Sequence, residues 1–383
     1  NIKVIDGEKE AYYGGVAALN LLHENSFVTV DIGGGSTEFC FIKDGKIEKS
    51  ISLNIGTVRI KELYFNKDNI NGAKKYILDE LKKIFDLDIE IPKRVVGIGG
   101  SIRALSKMIM TKNDYPLDIL HGFTYDAKKE ISLFEKIVIA RNNDDLKSIG
   151  VKKDRFDTIK EGAFIFKTIL DELSIHEVIT SGAGVREGVY LTDLLRNSNH
   201  KFPSNFNVSV RSLLDRFEID QKQSAFMGNN AGKIFDELKP IHNLDNKYKS
   251  LLIVASKLHS IGSTLNFYKS NDNAFDFILN GLNYDFSHNS RVIVAHTIKF
   301  SKKSLPTKSE ILKYEELLPS LNVMQWMSFM ISLNIAINQD LSRPKVSYTL
   351  QNNVLKIVLS NNSFMIQSNI DKLESPEDLI IEL

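Results

Sequence analysis

Up to about residue 195, apolar residues come in short runs separated by stretches of helical spacing. Residues 2–5 predict a short strand, and Asp6-Gly7 a turn. Residues 8–22 predict a helix, since Ala11, Val16, Ala17, Leu21 and Leu22 recur at helical intervals, although Gly14-Gly15 weakens its middle. The run 27–30 is rich in β-branched residues and predicts a buried strand ending on Asp31. Gly33, Gly34 and Gly35 turn the chain into a second apolar run, and a further hairpin joins 39–42 to 47–53 around Asp44-Gly45. Gly56-Thr57 opens a helix through Tyr64, and another covers 72–85. Residues 95–100 form a strand running into glycines, with Ser101 placed to cap the helix that follows. Helices over 132–142 and 158–173, a strand over 177–180 and a third glycine turn at 181–190 complete an α/β pattern with a mixed sheet.

The polar, proline-containing stretch 197–205 marks a boundary, so the first domain is taken as 1–196. Beyond it the periodicity is helical, at 210–217, 223–238, 251–261, 275–282 and 290–299. This predicts an all-α domain over 206–303. A basic, proline-broken loop at 300–308 and a strong helix over 322–337 follow. Strands are expected at 346–350, 354–359 and 364–367, separated by Asn-Asn pairs suited to tight turns. That pattern predicts a small C-terminal α+β domain over 304–383.

A chain of 383 residues suits two or three domains, and 43% hydrophobic with 25% charged residues is ordinary globular composition. A net charge of +1 gives no global case for nucleic acid or an anionic membrane as partner. The single cysteine, Cys40, excludes an intramolecular disulfide and suits a reducing cytoplasm. No run of 18 apolar residues predicts membrane insertion.

Candidate chemistry gathers at the glycine turns. Asp31 and Glu38 flank Gly33, Gly34, Gly35, Ser36 and Thr37, where exposed N–H groups can cradle a phosphate. Two carboxylates beside such a cradle imply a cation between them, hence a Mg²⁺–phosphate site; the competing reading is an ordinary hairpin turn. Gly99, Gly100 and Ser101 offer a helix N-terminus to an anion, or a plain strand-to-helix turn. Glu8 and Glu10 open the first helix, where an acid is also explained by the helix dipole.

GEKEA (7–11), DIGGGSTEF (31–39), GIGGSIRAL (97–105) and SGAGVREGVY (181–190) stand in the order and at about the separations of the Ppx/GppA phosphatases, which this chain resembles. These are exopolyphosphatases and guanosine pentaphosphate phosphohydrolases of the actin-like ATPase superfamily. The resemblance implies an actin-like (ribonuclease H-like) lobe followed by an HD-like helical domain. It places the water-activating role on Glu10, the metal-linked acids on Asp31 and Glu38, and the phosphate loop on Gly33 to Gly35. Thr57 stands where the family often has the cysteine of a Gly-Cys pair, and is expected to line the site. The implied activity is Mg²⁺-dependent hydrolysis of the terminal phosphoanhydride of inorganic polyphosphate. Conversion of guanosine pentaphosphate to tetraphosphate is the enzymatic alternative, and non-catalytic binding of polyphosphate or an alarmone the alternative of another class. A polyol kinase of the same superfamily is disfavoured, since no sugar-site segment is recognisable.

Two departures shape the expectations. The family's first lobe carries a DxGSxS-type loop, and none precedes residue 31. The chain beginning at Asn1 is therefore expected to be a fragment holding the second lobe, inactive in isolation. Where the HD-type histidine–aspartate pair would lie, the chain reads His259-Ser260, so a degenerate metal site is expected. The helical and C-terminal parts are expected to form a channel wall or a homodimer surface, with Lys299, Lys302 and Lys303 holding polyphosphate through salt-sensitive contacts.

Overall fold

The computed structural model describes residues 4–361 and 363–383. The chain divides into two compact units, the boundary falling after residue 205. In the first, the elements are α1 (Gly7–Leu21), β1 (Phe27–Ile32), β2 (Thr37–Lys43), β3 (Lys46–Leu53), α2 (Thr57–Leu63) and α3 (Ile70–Phe85). They continue as β4 (Arg94–Ile98), α4 (Gly99–Lys112), β5 (Phe123–Asp126), α5 (Ala127–Ile139), α6 (Asn143–Ser148), α7 (Ile159–Glu172), β6 (Glu177–Thr180) and α8 (Val185–Leu194). The strands form one mixed sheet in the order β3-β2-β1-β4-β6-β5. Its centre, β1-β4-β6, is parallel, while β2, β3 and β5 run antiparallel to their neighbours.

Alternation along the strands sorts side chains between two cores. Val28, Val30 and Ile32 face a large core built with α2, α3, α4, α5 and α7. Phe27 turns the other way, to Ala18 and Leu22 of α1, with Cys40 and Ile42 of β2 and Ile98 of β4. The same period of two puts Asp31 and Glu38 on the face covered by α1.

Several expectations change here. Of the strand predicted at 2–5, residues 1–3 lie outside the described residues, and Val4 and Ile5 carry no regular structure. The helix expected over 132–142 begins at Ala127, where Asp126 caps it, and ends at Ile139; Asn142 then caps a separate helix, α6. Ser101 does not cap α4, which starts two residues earlier without a side-chain cap. Instead Ser101 is buried, directed at Gly162 of α7. The edge strand β5 was not anticipated: four residues of mixed polarity carry too little periodicity to be recognised.

The second unit contains α9 (Val208–Arg216), α10 (Gln221–His242), α11 (Asn246–Leu258), α12 (Ser270–Gly281), α13 (His288–Lys299), α14 (Lys308–Ile311) and α15 (Leu321–Ile337). After them come β7 (Val346–Gln351), β8 (Val354–Leu359), α16 (Phe364–Ile370) and β9 (Ile380–Glu382). β7 and β8 form a hairpin, with β9 parallel to β8. The segment 364–367 is therefore helical, not a strand. Ser363 caps it, and Ile366 and Ile370 bury one face at a spacing of four, a helical period that overrides the β-branched composition.

The separate domain expected from residue 304 is not a separate body, since residues 206–383 are one compact unit. α15 is apolar on every side, and packs against α10, α11 and α13. Among its buried polar residues, Asn334 donates to the Met227 carbonyl at 2.8 Å and accepts from Asn230 at 2.9 Å. Tyr348 of β7 donates to Asn230 at 3.0 Å, tying the small sheet to the helices. Among the described residues, no single helix is long and apolar enough to cross a membrane.

Candidate functional site

Asp31 closes β1 and Glu38 opens β2, and the two are direct cross-strand partners. Between them the chain turns tightly, the Gly33 N–H donating to the Ser36 carbonyl at 2.9 Å. Gly34 and Gly35 are exposed at the tip, and their N–H groups have no partner among the described residues. The loop carbonyls face the other way, into the start of α2. Thr57 N–H donates to Gly33 O at 3.0 Å, Val58 N–H to Gly34 O at 2.9 Å, and Arg59 Nε to Gly35 O at 2.8 Å. This orientation leaves the loop's donors outward, the polarity a phosphate requires.

Two of the expected phosphate ligands have their side chains committed to holding this loop. Thr37 is buried and donates its hydroxyl to the Ile55 carbonyl at 2.5 Å. Thr57 is buried, with its hydroxyl 3.4 Å from the Gly33 carbonyl.

The helix α1 brings the third carboxylate. Asp6 caps it by accepting from the Lys9 N–H at 2.8 Å, and its first residue, Gly7, lies against Ser52, whose hydroxyl donates to Glu38 Oε1 at 2.9 Å. Glu10, in the first turn, is therefore carried to the same pair of acids, whereas Glu8 is exposed. Burial pushes the Asp31 carboxyl up to about 6, Glu10 adds to that shift, and Arg103 opposes it. Glu38 is also raised, first by burial, with Glu10 and Asp31 contributing and hydrogen bonds from Ser36 and Ser52 opposing. Three carboxylates thus share a region without enough positive charge to balance them.

The second glycine turn meets the first at Asp31. Gly99 has φ of 82°, which favours glycine, and a Cβ there would collide with Asp31 Oδ1. The N-terminus of α4 thereby abuts a carboxylate, the favourable end of its dipole. Gly100 permits an equally close approach, since a Cβ on it would stand 2.6 Å from Arg155 Nη1. Glu10, Asp31, Glu38, Gly33–Gly35, Ser36, Gly99 and Gly100 therefore converge from separate parts of the chain, while Ser101 points inward.

Arg103 and Arg155 escaped the sequence reading. Arg103 lies inside the GIGGSIRAL motif, one turn past the glycines, and that position was the available signal. Arg155 carried none, because only the fold brings it 55 positions back to Gly100. Both line a cavity of about 670 Å³ beside α4 and α5, with Met108, Leu133 and Ile149 on its apolar wall. Lys136 and Lys152 also line it, without ion-pair partners among the described residues.

No group of three or more His, Cys, Asp or Glu side chains is close enough to hold a metal by itself among the described residues. A cation here would rest on one or two carboxylates and on a bound phosphate, the usual donor set of Mg²⁺. His259, where a degenerate HD-type pair is expected, points Nδ1 at the Ser256 carbonyl at 2.8 Å, and burial lowers its affinity for protons.

Glycine loops with outward N–H groups, closed by clustered acids, define a phosphate-handling class of α/β protein. Residues 1–197 match the Ppx/GppA phosphatase family, and residues 207–376 match domain III of Ppx/GppA phosphatases. The chain belongs to the Ppx/GppA phosphatase family, a family of phosphohydrolases. Among solved structures it is similar to the Aquifex aeolicus family member, at 29% identity over 51% of this chain and 65% of that one, with a TM-score of 0.44. It is also similar to an exopolyphosphatase from Cytophaga hutchinsonii, at 21% identity over 51% of this chain and 65% of that one, with a TM-score of 0.45. The chain thus spans less than two thirds of the solved relatives it matches.

Proposed function

We propose that the site hydrolyses the terminal phosphoanhydride bond of inorganic polyphosphate. The observation that carries this reading is the convergence of Glu10, Asp31 and Glu38 on the loop at 33–36, whose Gly34 and Gly35 N–H groups point outward. Loop donors and the α4 N-terminus bind the oxygens of the terminal phosphoryl group. Glu10, in the first turn of α1, orients a water and accepts its proton as the water attacks in line. Mg²⁺, held by Asp31 or Glu38, would neutralise phosphoryl charge. Ser52 holds Glu38 in place through Oε1, and Gly99 lets Asp31 approach α4.

The cavity beside Gly100 supports a second reading, guanosine pentaphosphate as substrate. A linear polyanion has no use for an apolar wall, whereas a nucleoside does. A homodimer in the cytoplasm, with Lys299, Lys302 and Lys303 offering a long polyanion salt-sensitive contacts, completes the first reading.

Phosphate release by the full-length protein tests both. It is measured on long-chain polyphosphate and on guanosine pentaphosphate, with Mg²⁺ and with EDTA, beside Glu10→Gln. Metal-dependent release from polyphosphate, reduced about a hundredfold or more by the substitution, is the expected result. Release only from the pentaphosphate selects the second reading. Binding without release from either substrate would make the protein a phosphate-chain binder and overturn the hydrolase assignment.

A further inference from the structure

Arg103 stands where the two glycine turns, the acids and the cavity meet. Its Nε donates to the Ser181 carbonyl at 2.8 Å, and Nη2 to the Ala183 carbonyl at 3.3 Å. These bonds staple the loop after β6 to the start of α4. That loop is held from its other side by His121, whose Nδ1 accepts from the Gly182 N–H at 3.0 Å. The planar guanidinium is thereby fixed through two of its three nitrogens, and Nη1 has no partner among the described residues. The side chain is half-buried and lines the cavity together with Gly100 and Arg155. It lies four residues beyond Gly99, about 6 Å along the helix axis, and its charge reaches Asp31, opposing the rise of that carboxyl.

We propose that Arg103 is a substrate-binding residue that reads chain length. With the terminal phosphoryl group on the loop at 33–36, Nη1 of Arg103 receives the phosphoryl groups behind it. This inference rests on the phosphate-chain reading of the site and adds to it a residue that separates a condensed phosphate from orthophosphate. The carbonyls of Ser181 and Ala183 serve to aim the guanidinium, since they occupy the donors that would otherwise let it swing. A lysine could supply the charge but not the fork that holds both carbonyls and keeps a donor free.

The test is calorimetric binding of inorganic tripolyphosphate and of orthophosphate to the full-length protein carrying Glu10→Gln, with Arg103→Gln and Arg103→Lys added in turn. Arg103→Gln is expected to weaken tripolyphosphate about tenfold or more, and orthophosphate by less than about twofold. Arg103→Lys should fall between, and the melting temperature controls for folding. Equal losses for the two ligands would mean that Arg103 only braces the loop, and no loss would mean that it touches neither; both overturn the inference. If the Arg103-intact protein binds neither ligand, the phosphate-site reading itself fails, and the inference with it. If it binds both and Arg103→Gln does too, only the inference fails.

Discussion

The two units treat buried polar groups in opposite ways. In the first, Asp31 and Glu38 are drawn out of water beside Glu10, and both hold their protons more tightly than free carboxyls. In the second, a buried network of neutral groups is matched internally, Asn230, Asn334 and Tyr348 bonding to one another, while the buried hydroxyls of Ser256 and Ser328 have no partner among the described residues. His296 is packed among Phe275, Phe300 and Tyr314 with Nδ1 on the Val292 carbonyl, and burial holds it neutral. His242 and His259 are shifted in the same direction, also by burial. Unresolved charge persists where a ligand is to resolve it, and resolved polar groups specify packing. By that measure the first unit is the one in which the proposed chemistry fits.

Acid titration should separate the units most strongly. Asp31 releases its proton at about 6 in the folded state against 3.8 when free. The folded protein therefore holds the extra proton between those values, and the first unit loses stability as pH rises from about 4 to 6, by up to about 3 kcal/mol. His296 runs the other way: it takes up its proton at about 4 when folded and 6.5 when free. The second unit accordingly loses about 3 kcal/mol as pH falls from about 6.5 to 4. The single tryptophan, Trp326, reports the second unit by fluorescence, and amide exchange across β1 and β2 reports the first. Asp31→Asn should remove most of the first slope, leaving the part due to Glu38, and raise stability near neutral pH in metal-free buffer. Parallel slopes in the two units would break the contrast.

Gly99→Ala probes the same site by strain. A residue with a Cβ at φ of 82° that also displaces Asp31 should cost the first unit about 2 kcal/mol. Phosphate binding should weaken with it, while the Trp326 unfolding transition stays where it was. A coincident shift of both transitions would mean that the units do not melt independently.

The smallest effect sharpens the view of the second unit. Lys302 and Lys303 are exposed, and Lys299 lies 4.5 Å over the Phe275 ring. Replacing Lys302 and Lys303 by alanine should weaken long-chain polyphosphate binding about threefold at low salt and not at all at about 1 M salt. A loss that survives high salt would assign the second unit a built anion site.

Hydrophobic periodicity alone determined much of this protein. The helix α1, the β1–β2 and β2–β3 hairpins, the boundary near residue 205 and most of the helices beyond it were legible, because each depends on local spacing and turn chemistry. The four motifs likewise marked Glu10, Asp31, Glu38 and the glycines. What local pattern cannot carry is direction and partnership. Ser101 reads as a cap, yet it turns inward because α4 begins earlier; residues 364–367 read as a strand, yet Ser363 and the Ile366–Ile370 spacing make them a helix. Residues beyond 303 read as a domain of their own, until α15, apolar all round, proves to be the centre of the unit. Arg155 and the cavity were invisible for the same reason. Bringing residue 155 to residue 100, or residue 103 to residue 181, takes the closing of the sheet and its helices around one core, and only long-range packing decides that.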